Sequence, residues 1–122
     1  MPSGKPLALI IEDDPGSAEA LTLILRDWGA EVIHGDSDNV IDGALGGRHA
    51  ELRWIITDFH LGAGPDGVTL VQRLAKAAPQ ARVLVLSGSF HGRATAAAAR
   101  AGLEVMQKPA RAEAIVGWLE RA

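Results

Sequence analysis

Five side chains in this sequence could do chemistry together: Glu12, Asp13, Asp58, Ser87 and Lys108. A carboxylate such as Asp58 can attack phosphorus and take up a phosphoryl group as an acyl phosphate. Carboxylate oxygens are hard donors that suit Mg²⁺, with water filling the rest of an octahedron. A lysine can pair with a phosphoryl oxygen as a compact cation, and a serine hydroxyl can donate one hydrogen bond to another. Taken singly, each residue has an ordinary reading as a solvated loop acid, a helix cap or a surface lysine. Taken together, the acids pose a physical problem. Three ionised carboxylates ~5 Å apart, at an effective dielectric near 20, repel by about 3 kcal/mol per pair. That sum, about 10 kcal/mol, is comparable with the whole stability of a small domain. A divalent cation, the Lys108 ammonium, raised pKa values or wider spacing must compensate.

The elements that position these residues can be read from hydrophobic patterning. Leu7 to Ile11 ("LALII") is a continuous apolar run, as expected of a strand buried on both faces. "DPGSAEALTLILRDW" follows with Ala18, Leu21, Leu25 and Trp28 at helical spacing, and Asp14-Pro15 is an ordinary helix start. "EVIH", "WIIT", "RVLVLS" and "EVMQ" read as four more strands. Val40, Ile41, Ala44 and Leu45 mark a second helix, and Val71, Leu74, Ala75 and Ala78 a third that ends before Pro79. "RATAAAARAG" reads as an alanine-rich fourth helix. The tail from Arg111 carries Ala112, Ile115, Val116 and Leu119 on one face. Five strand–helix units in succession predict an α/β fold: a five-stranded parallel sheet with helices on both faces, joined by right-handed crossovers. In such folds ligands sit beyond the carboxyl ends of the strands, where all five residues fall.

Composition narrows the class. At 122 residues and 48% hydrophobic, the chain is expected to form one domain with a real core, spanning residues 1–122. Net charge is −3 and the basic residues are scattered, which argues against direct binding of nucleic acid. There is no cysteine, and His34, His49, His60 and His91 are too dispersed for a local zinc pattern. No apolar run reaches the ~18 residues of a membrane span, and Met1 to Lys5 is not a signal peptide. The expectation is a cytoplasmic domain with no membrane contact.

The stretches "IIEDD", "ITDFHLGAGPDG", "VLVLSG" and "QKPA", in this order and at these separations, resemble the receiver domains of two-component response regulators over nearly the whole chain. The resemblance implies a (βα)5 flavodoxin-like receiver fold. It implies that Asp58 accepts a phosphoryl group from a histidine kinase or phosphotransfer protein, and that Mg²⁺ is held by Glu12, Asp13, Asp58 and the carbonyl of His60. Ser87 and Lys108 then contact the phosphoryl group, and Lys108-Pro109 takes the place of the family's cis peptide. Such a domain is a switch and not an enzyme in the turnover sense, since it catalyses only its own phosphotransfer and dephosphorylation. A second copy of the chain is a further candidate partner.

Several positions depart from the commonest pattern. Gly62 stands where proline is frequent, and the loop from Asp58 to Gly67 is one residue longer than usual, resembling receivers of hybrid histidine kinases. Val105 replaces the Tyr or Phe that moves with the Ser/Thr in many receivers, and Ala110 replaces a frequent Phe. The usual aromatic relay is missing, so coupling to output is expected to be weaker or differently routed. The fourth helix (Ala96 to Ala99) and the last helix are the expected partner face, with Trp118 either an exposed anchor on it or part of the core. His60 and Ser89 occupy positions that tune hydrolysis of the acyl phosphate. Rival readings are less consistent with the residues. A nucleotide or flavin binder wants a Gly/Ser/Thr-rich loop where "EDD" stands, and a dehalogenase-type phosphatase wants an aspartate where His60 stands. A degenerate receiver, acting as a phosphorylation-independent interaction module, would have lost the residues that are here present.

Overall fold

A computed structural model describes residues 5–12, 14–36, 38–58, 67–87, 104–107 and 110–121. Five strands form one sheet: β1 (Leu7–Ile11), β2 (Glu31–Gly35), β3 (Leu52–Asp58), β4 (Arg82–Ser87) and β5 (Glu104–Gln107). The described helices are α1 (Pro15–Trp28), α2 (Asp38–Leu45), α3 (Gly67–Ala77) and α4 (Ala112–Glu120), and a short 3₁₀ turn, His49–Glu51, precedes β3. All pairings are parallel and the strand order is β2-β1-β3-β4-β5. The α/β class and the five-stranded parallel sheet expected from patterning are those observed. The helix expected from "RATAAAARAG" lies outside the described residues.

Alternation along the strands sorts side chains to two cores. Leu7, Leu9 and Ile11 face α2 and α3, packing with Ile41, Leu45, Leu74 and Ala78. Ala8 and Ile10 face the other way, into a core with Leu21 and Leu25 of α1 and Ile115, Trp118 and Leu119 of α4. Because every residue of β1 is buried, its sequence shows no polar alternation. Trp118 is fully buried beneath the Arg82 guanidinium, which lies 4.8 Å from its ring centroid. Of the two readings open for Trp118, core is the one observed. Val40, placed with the apolar face of α2 by spacing, is instead half exposed, while Ile41 and Leu45 are buried.

Local signals explain most of the boundaries. Asp14 caps α1 by accepting a hydrogen bond from the Ser17 amide at 2.8 Å, with Pro15 at the first helical position. Gly29 ends α1 at φ 121°, donating its amide to the carbonyls of Leu25 and Arg26. Arg48 bridges the 3₁₀ turn to the start of β2, with one guanidinium nitrogen 2.9 Å and the other 3.0 Å from the Glu31 carboxylate. At the far end of the sheet Trp28 and Trp54 meet edge to face, 5.3 Å between centroids. No helix among the described residues is long and apolar enough to cross a membrane.

Two strands run further than the patterning suggests. β2 includes Gly35, and β3 begins at Leu52 and includes Asp58. Gly35 is buried against α2, where an added Cβ would lie 2.5 Å from Ile41 Cγ1 and 3.3 Å from its backbone nitrogen. Gly35→Ala is therefore expected to destabilise the domain by about 1–3 kcal/mol, because the obstruction includes backbone. Urea denaturation of the variant beside the parent chain measures it.

Candidate functional site

The strand order fixes where a site can form. The chain moves outward from β1 to β2, then returns past β1 to β3 and continues to β4 and β5. With crossovers of one hand, this reversal puts α1 on the opposite face from α2 and α3, which is the division seen in the two cores. The helices that follow β1 and β3 diverge, and a crevice opens between the carboxyl ends of those strands.

Register then assigns residues to that crevice. Ile11 pairs with Thr57, so Glu12 and Asp58 are the next residues of two neighbouring strands. Asp58 remains in the ladder, opposite Leu86 of β4. Ser87 follows Leu86 and pairs with Gln107 of β5, the residue before Lys108. The backbone thus draws the ends of β1, β3, β4 and β5 to one edge. Asp58 and Ser87 are held within strands rather than in the loops beyond them. The side chains of Asp58 and Ser87, and all of Asp13, His60, Ser89, Gly62, Lys108 and Pro109, lie outside the described residues.

Glu12 is the acid whose surroundings are described. It is 1% exposed, a rare position for a carboxylate unless hydrogen bonds or charges compensate. Its Oε1 accepts from the Asp14 amide at 3.1 Å, and its own amide donates to the Gly35 carbonyl at 3.3 Å. Its carbonyl accepts from His34 Nε2 at 2.7 Å. Ends of β1, β2 and α1 therefore converge on one residue.

His34 and Gly35 are the contributions missed from the sequence. Histidine spacing was informative only about zinc, and nothing local to "EVIHGD" shows that this segment abuts the end of β1. That adjacency is a product of strand order.

Two departures noted in the sequence can be located. Val105 is half-buried and packs against the α2–α3 core. Ala110 is half-buried against the α1–α4 core and lines a small apolar cavity of about 260 Å³ with Leu21, Ile24, Leu86 and Glu12. The space left by a small residue at position 110 thus reaches the buried acid.

The donors suit a hard divalent cation in kind: an enclosed carboxylate at Glu12, with Asp13 next in the chain and Asp58 next along the sheet edge. Among the described residues no group of three or more His, Cys, Asp or Glu gathers as a metal site. Any such group here must draw on Asp13 and the Asp58 side chain. Glu12→Gln keeps an oxygen to accept from Asp14 and removes the buried charge. In metal-free buffer it is expected to raise stability by about 1 kcal/mol, and with Mg²⁺ added it should gain less than the parent chain does. Urea midpoints with and without Mg²⁺ check both; a fall in the metal-free midpoint would mean that another group already neutralises Glu12.

The family model described as the response regulator receiver domain matches residues 8–120. A response regulator from Burkholderia pseudomallei, solved with a phosphorylated aspartic acid, calcium ion and citrate, is 30% identical. The match covers 95% of this chain and 67% of that one, with a TM-score of 0.79. The signal receiver domain of an HD domain-containing protein from Pseudomonas fluorescens Pf-5 is 20% identical, with TM-score 0.81 over 94% of this chain and 91% of that one. A CheY-like receiver domain protein from Methanospirillum hungatei JF-1 is 18% identical, with TM-score 0.78 over 95% and 91%. These last two show likeness of fold. Comparison with curated proteins found no match.

Proposed function

This chain belongs to the response regulator receiver domain family, and from that membership we propose that it is a working phospho-acceptor. Asp58 takes a phosphoryl group from the phosphohistidine of a histidine kinase or phosphotransfer protein in the cytoplasm. A carboxylate oxygen of Asp58 forms the new bond to phosphorus. The phosphorus–nitrogen bond breaks, its electron pair stays on the departing imidazole, and an acyl phosphate results. Hydrolysis later returns the carboxylate and inorganic phosphate. The domain is a switch that catalyses only these two steps on itself.

The observation that supports this most is the register between β1 and β3. It puts an enclosed glutamate and Asp58 at neighbouring strand ends, at the point where the sheet reverses direction. Glu12 and Asp13, with Asp58 and the His60 carbonyl, would hold a divalent cation. When bound, Mg²⁺ supplies charge that offsets the repulsion between the acids and the incoming phosphoryl oxygens. Lys108 pairs with one phosphoryl oxygen, and Ser87 donates a hydrogen bond to another. The calcium ion in the Burkholderia pseudomallei relative is in keeping with a divalent site, and its phosphorylated aspartic acid with the acceptor chemistry.

Phosphorylation then shifts the balance between two pre-existing arrangements of the domain. Val105 cannot act as a swinging aromatic, so the switch works through packing around the ends of β4 and β5.

Incubation with acetyl phosphate, followed by intact-mass spectrometry, tests the reading. One phosphoryl group is expected, dependent on Mg²⁺ and lost in Asp58→Asn. Beryllofluoride, which mimics the phosphoryl group without hydrolysing, covers a short-lived acyl phosphate. If neither adds to the folded chain, the domain is a receiver-shaped binding module instead.

A further inference from the structure

We propose that His34 is a positioning residue for the acidic corner, setting its affinity for a divalent cation through the backbone of Glu12. The proposal rests on the reading of Glu12 and Asp13 as metal-holding acids.

β2 is the outer strand of the sheet, and its ladder with β1 ends at Gly35 opposite Ile11. Glu12 is the first residue past that ladder, yet β2 still holds it from two sides. The Gly35 carbonyl accepts from its amide at 3.3 Å, and His34 Nε2 lies 2.7 Å from its carbonyl oxygen. The second contact is the shorter, and it acts on the peptide that joins Glu12 to Asp13. A peptide unit is planar, so holding that carbonyl also holds the plane carrying the Asp13 nitrogen. One side chain on an edge strand therefore constrains the backbone between two acids that must act together.

The chemistry of the contact is defined by its acceptor. A carbonyl oxygen only accepts, so Nε2 must carry the hydrogen. The neutral tautomer protonated at Nε2 and the imidazolium both provide it, and the hold does not require a charge on His34. His34 itself is exposed, on a strand whose side chains are otherwise only partly buried until Gly35. It contributes little to either core, which leaves the contact with Glu12 as its main structural consequence. Groups that orient metal ligands without touching the metal commonly control affinity ten-fold or more.

The test compares the parent chain with His34→Leu, which removes the donor, and His34→Gln, whose Nε2 can occupy the same place. Mg²⁺ is titrated while the amide resonances of Glu12 and Asp14 are followed by NMR, and thermal unfolding is measured alongside. The expected result is an affinity for Mg²⁺ weakened about ten-fold in His34→Leu, regained in His34→Gln, with both melting close to the parent chain. Equal affinity in all three, or no recovery in His34→Gln, overturns the role of His34 and leaves the receiver reading standing. Absence of any Mg²⁺ response in the parent chain overturns both. Should His34→Leu lose its dispersed spectrum, His34→Ser, too short to reach the carbonyl, takes its place with the same outcomes.

Discussion

The parallel pairing of β1 with β3 is the constraint on which the rest of the molecule depends. It is the pairing across which the chain reverses its direction through the sheet, and the helices that follow its two strands, α1 and α3, leave on opposite faces. An opening between those strand ends is unavoidable. What occupies it is decided by register, and with Ile11 opposite Thr57 the residues at the opening are Glu12 and Asp58. A slip of one residue would send every side chain of β1 to the wrong core, so the two hydrophobic faces enforce the alignment of the two acids.

The packing and the chemistry are therefore one arrangement. Leu7, Leu9 and Ile11 on one side and Ala8 and Ile10 on the other make β1 insoluble except as a central strand. That centrality buries Glu12 at its tip, where a carboxylate is expensive. The surroundings answer with directed hydrogen bonds: the Asp14 amide donates to its carboxylate, its own amide donates to the Gly35 carbonyl, and the His34 side chain donates to its carbonyl. Gly35 allows β2 to reach far enough to take part, because any side chain there would strike Ile41.

Much of this was legible in the sequence because strong local signals agreed with one another. Apolar runs in "LALII" and "RVLVLS", the Asp14-Pro15 cap and the stop at Pro79 each have a short-range physical cause, and they specify elements before tertiary structure exists. The parallel sheet with helices on both faces followed from alternation of strand and helix. Where the outcome depended on which residues meet across the sheet, local signals were silent. His34 and Gly35 became part of the acidic corner only through their register with Ile10 and Ile11. Trp118 was ambiguous because an apolar position on a short terminal helix can face either way, and only the site of docking against β4 decides. Val40 shows the converse, since helical spacing defines a stripe but not its width.

Arg82 gives the last helix a mechanical property. Its guanidinium reaches the carbonyls of Trp118 at 2.7 Å and Arg121 at 2.6 Å, and the Glu104 carboxylate at 3.0 Å. One residue at the start of β4 thus fastens the trailing end of α4 to two strands, while the leading end begins beside Ala110 at the opposite edge of the sheet. A rod pinned at one end can swing but cannot slide. Displacement beside the acidic corner must therefore appear as a change in tilt of α4, smallest over Trp118 and growing toward Ala112.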